Sequence, residues 1–507
     1  MDPIRLTAGL LTMSFEPWSG MVRHVRFAGR EVLRGAYAVV RRGDWSTIPH
    51  QVEDVHSVQD ATGFKVTWHD VNGPVTWEGS LTGDSNGVEY RMRGIATEEF
   101  ETNRTGLCIL HPAKESRGAR VIVEHVDGST EIVTLPETIL PTQPVFDIRS
   151  LTQEVLPGLW LEMDLTGDTF EMEDQRNWSD ASFKTYCRPH RLPKPFTIPV
   201  DERIEHAVRF RLIATEAAGP PVSLTSVRET LPFSVGTLVL ADTDVAELAK
   251  LDLGHYAVKV DFSKETSGFE FAREVAAATG RPVHLLVSRG SSDQVKSALE
   301  ALPDALAMVE DNALLAALSG VERVFMGTSS NFTELNGQRP NCEAVTGVGF
   351  ATNAQVHAFD DVSIKETLEG LEHTVESALA ICPGKPVAVG PIRFGPEDDA
   401  RIQTPFGAAW AVSAVWAVAR AGASSATILT AADLLSPAFE TALKALQGIS
   451  KGQALATSDP LRVHGFRVGE VVWLASLSDR AEEVDLDGVS QFDLQPFEVR
   501  SFPYVKA

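Results

Sequence analysis

The sequence has no segment typical of a membrane-spanning, exported or nucleic-acid-binding protein. Among its 507 residues there is no run of 18 apolar residues, and the first 20 lack a basic stretch followed by a long apolar core. We therefore expect neither a membrane span nor export. Lys and Arg number 45 against 69 Asp and Glu, which gives a formal net charge of -24. Nucleic acid is not an expected partner, because its phosphates require a basic surface.

Cysteine is also scarce. The four cysteines, Cys108, Cys187, Cys342 and Cys382, are widely spaced and form no CxxC pair. This spacing is typical of reduced thiols, so we expect four free thiols and a cytoplasmic protein.

The histidines form no HxH or HExxH cluster. These are the local patterns that indicate a metal site, although scattered ligands leave no pattern in a sequence. We therefore predict no metal and no other cofactor.

Residues 1–216 are rich in short apolar and alternating runs, at about ten-residue spacing. Turn signals such as Asp127-Gly128 separate these runs, which is the pattern of antiparallel hairpins. We predict an N-terminal antiparallel β-sandwich. The expected strands lie at 22–27, 36–41, 64–68, 75–81, 88–94, 106–110, 121–125, 159–165 and 207–213.

The spacing of apolar residues along the chain changes after a linker, Ala217-Ala-Gly-Pro-Pro221. Strands then alternate with helical segments, and eight such units are the number that closes a (β/α)8 barrel, predicted here for 225–450. Near the end of the chain, apolar and polar residues alternate again as they do in strands, so residues 458–507 are predicted to form a small β-domain. The expected barrel strands lie at 235–240, 256–261, 283–287, 305–309, 321–326, 345–350, 387–392 and 426–429.

Polar side chains follow several of the predicted barrel strands, where the chemistry of such barrels is found. Glu334 and His357 follow neighbouring strands, so a carboxylate and an imidazole could share a proton there. Each alone is more often a solvated glutamate or a structural histidine. The remaining candidates at the barrel mouth bind substrate in this interpretation: Asp261 after strand 2, Asn331 and Asn336 in the polar loop expected after strand 5, and Arg393 after strand 7.

Residues 170–186, FEMEDQRNWSDASFKTY, mix charged groups with aromatic ones. Polar heads beside aromatic faces are suited to a sugar, which has hydroxyls on its edges and C–H groups on its faces. We predict that Glu173, Asp174, Asn177 and Lys184 bind sugar hydroxyls across the barrel mouth. A solvated loop with ion pairs is the simpler alternative.

A glycosidase of the retaining type would need a nucleophilic carboxylate after strand 7. The sequence has Arg393 at that place, and Glu397 stands further along the loop. The predicted domains therefore resemble those of carbohydrate-active enzymes, but the pair of carboxylates that a retaining glycosidase uses is missing from its expected place.

Four stretches together resemble the D-apionate lactonase family of bacterial D-apiose catabolism. They are GTSSNFTELNGQRP at 327–340, TNAQVHAFDD followed by SIKETLEG at 352–370, FEMEDQRNWSDASFKTY at 170–186 and GLCILHP at 106–112. The resemblance spans nearly the whole chain. It implies an enzyme that opens D-apionolactone to D-apionate, with a small sugar lactone as its partner.

Lactone hydrolysis requires a base for water, donors for the oxyanion and an acid for the ring oxygen. On chemical grounds Glu334 is our candidate base and His357 its partner or the acid, with Arg393 and Asn336 near the oxyanion. Two alternatives stay open. One is a glycoside hydrolase with Glu334 as acid and Asp261 or Glu173 as base, and the other is a carbohydrate-binding protein without catalysis. The sequence does not predict the oligomeric state.

Overall fold

The computed structural model describes residues 2–27, 29–156, 159–214, 228–229, 233–265, 268–449, 452–457, 460–479, 481–486 and 490–503. The chain divides into two compact units. The first comprises Met1–Gln175 and Ser182–Pro221, and the second comprises Arg176–Ala181 and Val222–Ala507. A six-residue piece of the N-terminal sequence thus belongs to the second unit.

The first unit is an antiparallel β-sandwich, as predicted. Among the residues described, seventeen strands join into one sheet with a single large hydrophobic core. A four-residue helix, α1 (Ala113–Ser116), follows β9. The strands are β1 Ile4–Ala8, β2 Leu11–Glu16, β3 Met21–Phe27, β4 Arg30–Arg42, β5 Val52–Gln59, β6 Gly63–Asp70, β7 Val75–Asp84, β8 Gly87–Ala96, β9 Phe100–Pro112, β10 Arg120–His125, β11 Thr130–Thr134, β12 Val145–Leu156, β13 Leu159–Thr166, β14 Phe170–Asp174, β15 Ser182–Tyr186, β16 Phe196–Ile198 and β17 Arg203–Ala214.

The core follows from the two-residue period of these strands. In β6, Phe64, Val66 and Trp68 are buried, while Lys65 and His69 between and beside them are exposed. Successive side chains of a strand point to opposite faces, so this alternation selects one face for the core.

The second unit contains a closed barrel of eight parallel strands, as predicted. Every residue of the fifth strand is buried, as in the apolar strands of a parallel sheet covered on both faces. The strands are β19 Ser234–Val239, β20 His255–Asp261, β21 Val283–Arg289, β22 Leu306–Val309, β23 Val324–Thr328, β24 Gly347–Asn353, β25 Val387–Arg393 and β26 Ser425–Thr430.

Helices connect the barrel strands, and side chains cap several of them. Ser291 accepts from the first turn of α4 and Asp360 from that of α7, which satisfies backbone N–H groups that have no partner within a helix. The helices are α2 Val245–Leu248, α3 Phe269–Thr279, α4 Ser292–Ala301, α5 Asn312–Ala317, α6 Phe332–Gln338, α7 Asp361–Ile381, α8 Pro405–Arg420, α9 Ala431–Leu434 and α10 Glu440–Gly448, with 3-10 turns at Gln175–Trp178, Ala400–Gln403 and Pro437–Phe439.

A small antiparallel sheet completes the second unit, as predicted. It pairs β18 (Arg228–Glu229), which precedes the barrel in sequence, with strands that follow it. These are β27 Gln453–Leu455, β28 Val463–Val468, β29 Val471–Ser476 and β32 Val499–Pro503, and a separate hairpin is formed by β30 Glu482–Leu486 and β31 Ser490–Leu494. Leu455, Leu474 and Leu494 form part of its core.

Two expectations from the sequence need correction. Residues after strand 5 were expected to form a loop, but α6 occupies Phe332–Gln338, because a capped N-terminus offsets the unfavourable Gly337. Cys342 and Cys382 were expected to be free thiols. They form a disulfide, with their Cα atoms 5.4 Å apart, while Cys108 and Cys187 are free and buried.

Some expectations fall outside the described part of the chain. The linker Ala217–Pro221 lies there, as do the predicted boundaries at 216, 225, 450 and 458. In the residues that are described, none of the helices combines the length and the apolar character that crossing a bilayer requires.

Candidate active site

A cavity of about 620 Å³ opens at the carboxyl ends of the barrel strands. Residues at or just beyond the ends of seven of the eight strands line it, and β24 is the exception among the described lining residues. Its charged lining residues are Lys259, Asp261, Lys264, Glu310, Arg393, Glu397 and Asp433.

Glu310 directly follows the last residue of β22 and is half-buried in the cavity wall. Its Oε1 accepts from the Ser329 hydroxyl at 3.2 Å and from the Ser329 backbone N–H at 3.4 Å. Both contacts involve the same carboxylate oxygen, and they fix the orientation of the group. The arrangement suits a carboxylate that acts through its second oxygen.

Arg393 is the last residue of β25 and lines the same cavity. Partial desolvation lowers the pKa of its guanidinium from the ordinary value, and the charge of Glu397 opposes that shift. A guanidinium remains charged under all ordinary conditions, so Arg393 supplies fixed hydrogen-bond donors to the cavity.

Asp261, at the end of β20, also lines the cavity. Its Oδ1 accepts from the Ser263 hydroxyl at 2.5 Å and from the Ser263 backbone N–H at 3.1 Å, and Lys264 lies 3.8 Å away. The Ser263 hydrogen bond is the main cause that lowers the pKa of Asp261. Asp261 is therefore a firmly ionised acceptor rather than a group ready to take up a proton.

Glu334 does not line the cavity among the described lining residues. It lies in the first turn of α6, where Oε2 accepts from the Asn331 backbone N–H at 2.8 Å and Oε1 accepts from the Ser330 hydroxyl. This is the geometry of a glutamate that closes a helix N-terminus. Both carboxylate oxygens are thus engaged in holding the start of the helix.

His357 likewise is not among the cavity residues, and its partner comes from Arg176–Ala181. Its Nδ1 lies 2.6 Å from Asp180 Oδ2, and the Trp178 ring meets the imidazole edge-on at a centroid distance of 5.5 Å. An aspartate on one ring nitrogen fixes the tautomer and orientation of a histidine.

Two further contacts hold the same segment in the second unit. Asn336 on α6 donates through Nδ2 to Asn177 Oδ1 at 2.9 Å, and both residues are buried. Ser179 hydrogen-bonds Thr352 near the end of β24. Arg176–Ala181 is thereby fixed to the loops and helices that follow β23 and β24.

The other predicted binding residues, Glu173, Asp174 and Lys184, belong to the first unit. Glu173 and Asp174 end β14, and Lys184 is the central residue of β15. Asp174 and Lys184 are buried, and Glu173 is half-buried.

Sequence reasoning missed Glu310 and Asp180 as site residues. Glu310 is the first residue after a four-residue apolar strand, and its place at a barrel mouth was the available signal. Asp180 carried no such signal, because its contact with His357 joins residues 177 positions apart.

The closed parallel barrel, with a cavity that carries charged side chains at the strand ends, places the second unit in the class of TIM barrels, whose active sites lie at this end. Residues 1–215 match the family described as "D-apionate lactonase, N-terminal domain", and residues 255–398 match "D-apionate lactonase, TIM barrel domain". A protein of Brucella anthropi named D-apionate lactonase is 30% identical over 98% of this chain and 96% of its own length. The chain belongs to the D-apionate lactonase family, whose members are lactone-hydrolysing enzymes.

Solved structures are more distantly similar. A putative aldose 1-epimerase of Escherichia coli is 11% identical and covers 42% of this chain and 99% of its own, with a TM-score of 0.31. The α-N-acetylgalactosaminidase of Bifidobacterium bifidum is 10% identical and covers 97% of this chain and 99% of its own, with a TM-score of 0.28. These scores are too low to establish a shared fold.

Proposed function

We propose that this enzyme hydrolyses a sugar-acid lactone in the barrel cavity, with D-apionolactone as substrate and D-apionate as product. The observation that carries the proposal is the presence of Glu310 and Arg393 in the wall of one cavity. The family membership and the name of the Brucella anthropi relative support the choice of lactone.

In the proposed reaction Glu310 is the general base. Its carboxylate takes a proton from a water molecule while the water oxygen forms a bond to the lactone carbonyl carbon. The negative charge that develops on the carbonyl oxygen is stabilised by the Arg393 guanidinium. The bond between the carbonyl carbon and the ring oxygen then breaks, and Lys259, which lines the cavity, donates a proton to the departing oxygen. The product is an open-chain hydroxy acid.

The residues proposed from the sequence take revised roles. Glu334 and Asn331 position the chain just beyond β23, where Thr328, the last residue of the strand, and Ser329 line the cavity. His357, Asn336 and Asn177 hold Arg176–Ala181 in place. These are positioning roles, because the contacts of these side chains are with the protein.

Asp261 is the proposed binding carboxylate of the cavity. It stays ionised under ordinary conditions, because the Ser263 contacts lower its pKa. An ionised carboxylate accepts hydrogen bonds from sugar hydroxyls, which orients the ring without entering the bond changes.

A pH-stat assay tests the proposal. The purified enzyme is given a panel of aldonolactones that includes D-apionolactone, and a parallel panel of aryl glycosides. Acid release from D-apionolactone at a rate above that from the other lactones is the expected result. Equal rates on several lactones would remove the substrate assignment, cleavage of glycosides alone would favour the glycosidase alternative, and silence on both panels would favour a binding protein.

A further inference from the structure

The strand β11 lies at an open edge of the sheet in the first unit. Among the described strands its only partner is β10, and β10 has β12 on its other side. The edge of β11 that faces away from β10 is therefore left without a neighbouring strand. Backbone N–H and C=O groups on such an edge can pair with a strand of another chain.

The hydrogen bonds between β10 and β11 show which backbone groups face the open edge. Where the hairpin ends, the Leu135 N–H donates to the Ala119 carbonyl at 2.9 Å. Bonded pairs alternate with non-bonded pairs along an antiparallel ladder, so the bonds to β10 fall at Val133 and Glu131. The other three residues of β11 direct their N–H and C=O groups to the open edge. They are Thr130, Ile132 and Thr134.

Other edge strands that the structure describes carry features that hinder such pairing. β5 has a bulge between Glu53 and His56, and β16 is three residues long and flanked by prolines. On β1, the N–H of Thr7 donates to the side-chain oxygen of Gln59 at 3.0 Å. Bulges, prolines and short length protect edge strands from pairing with other chains. β11 has none of these features, because it keeps an unbroken register with β10 and contains neither proline nor lysine.

The centre of the open edge is apolar. Ile132, the middle residue of β11, is 71% exposed. Its cross-strand neighbour on β10 is Ile122, which is 36% exposed. Covering a pair of exposed isoleucines with a second apolar surface lowers the free energy, since their contact with water is removed.

We propose that the strand that closes this edge is β11 of a second copy of the chain, in a symmetric dimer. When two copies are related by a two-fold axis at Ile132, their β11 strands run antiparallel. Ile132 then lies opposite Ile132 of the second copy, and Thr130 lies opposite Thr134. About six backbone hydrogen bonds close the edge, and Ile122 of each copy extends the central row of isoleucines across both hairpins.

The charges beside the edge are compatible with this pairing. On β10, Arg120 stands opposite Thr134, and Glu124 stands opposite Thr130. Each row of threonines in the dimer therefore has an arginine of one copy at one end and a glutamate of the other copy at its other end. No like charges lie directly opposite each other across the new pairing, where they would be unfavourable.

Two features limit the strength of the dimer. Asp127 and Glu131 add negative charge to the hairpin, and the formal net charge of each chain is -24, so the two copies repel each other at long range. A single strand pair also lies at the small end of specific interfaces, which bury about 1,200 to 2,000 Å². We therefore expect a reversible dimer with a Kd in the micromolar range. The dimer involves the first unit and does not depend on the lactonase mechanism.

Sedimentation equilibrium of the full-length enzyme tests the dimer between about 1 and 200 µM, in about 0.3 M salt to screen the repulsion. The mean mass should rise with concentration towards that of two chains. Ile132→Lys should weaken the association at least 10-fold, because two like charges then face each other across the pairing. Val58→Lys is the matched control, since Val58 is 69% exposed on the edge strand β5. It should associate as the wild type does.

Cross-linking tests the register of the two strands. The Cα atoms of a hydrogen-bonded antiparallel pair lie about 5.5 Å apart, a separation that a disulfide can span. Ile132→Cys should therefore give a disulfide-linked dimer on mild oxidation, whereas Val58→Cys should not. Circular dichroism identifies folded preparations, and if Ile132→Lys does not fold, the wild-type masses and the cross-link carry the test.

The mass of one chain at every concentration would overturn the proposal and leave the edge to a strand of a different protein. Association that survives Ile132→Lys would place the interface on another surface, as would an equal loss of association in Val58→Lys. A dimer that forms no cross-link through Ile132→Cys would contradict the two-fold axis at this residue.

Discussion

At the scale of single residues, the decisive difference lies between two glutamates of the barrel. Glu310 lines the cavity with contacts to one carboxylate oxygen, whereas both oxygens of Glu334 are engaged at the start of α6. We expect Glu310→Gln to lower kcat by about 100-fold to 10,000-fold, the usual range for loss of a general base. Steady-state lactone hydrolysis measures it. Glu322→Gln, at an exposed residue before β23, is the control and should match the wild type.

Glu334→Gln should behave differently. The amide keeps part of the hydrogen bonding but removes the negative charge from a helix N-terminus, so we expect the free energy of unfolding to fall by about 0.5 to 2 kcal/mol. The kcat for lactone hydrolysis should fall less than 10-fold. Urea denaturation measures the loss of stability, and steady-state kinetics on the same preparation measures kcat. If kcat instead collapses as in Glu310→Gln while stability is unchanged, Glu334 is the base.

At the scale of elements, Arg176–Ala181 depends on contacts made by the loop after β24 and by α6. We expect a double-mutant cycle of Asp180→Asn and His357→Gln to give a coupling energy of about 1 to 3 kcal/mol in urea unfolding, because the hydrogen bond involves an ionised group and is mostly shielded from solvent. Glu440 and Lys444, exposed on α10, form the control pair and should couple by about 0.5 kcal/mol or less. A coupling at Asp180 and His357 no larger than this would show that the contact does not hold the segment.

The elements also show what a sequence can reveal. The spacing of apolar residues predicts the sandwich and the eight barrel strands. A strand buried on one face alternates apolar and polar residues, as β6 does, and a strand buried on both faces is apolar throughout. This spacing does not predict α6, where a few capping contacts outweigh Gly337. Nor does it pair Asp180 with His357, since no local rule joins residues so far apart.

In the candidate site, too, the sequence predicts where residues lie along the strands but not which way their side chains point. Arg393 and Asp261 were found because they end barrel strands, and both line the cavity. Glu334 and His357 stand beyond such strands too, yet their side chains contact the protein itself. Position along a strand is readable from sequence, whereas the direction of a side chain depends on the helix or segment that packs beside it.

At the scale of the whole molecule, buried neutral histidines occur in each structural region. His111 lies in the sandwich, His284 in the barrel and His464 in the C-terminal sheet, and each is almost fully buried. Burial is the main cause that lowers the pKa of His111 to about 4, of His284 to about 4 and of His464 to about 3. In the barrel, His284 also stacks on His255 at 3.8 Å, so a charge on either ring would repel one on the other.

These shifts determine the sign of the pH dependence. The unfolded chain takes up protons near pH 6.5, while the folded histidines stay neutral down to about pH 4, so the unfolded state binds more protons between those values. Stability is therefore complete above about pH 6.5 and is lost as the pH falls towards 4. From pH 7.5 to 5 each such histidine should contribute a loss of about 2 kcal/mol.

Urea unfolding at pH 7.5, 6 and 5 measures this loss, and stopping at pH 5 keeps most carboxylates ionised. His284→Gln should show a shallower fall in the free energy of unfolding than the wild type, by about 2 kcal/mol over that interval, because one protonation site has been removed from the unfolded chain. His56→Gln is the control, since His56 is exposed on β5 and the substitution leaves the buried histidines in place; its fall in stability should match that of the wild type. A stability in the wild type that does not change between pH 7.5 and 5, or equal slopes in the wild type and His284→Gln, would show that these histidines do not set the acid limit of the fold.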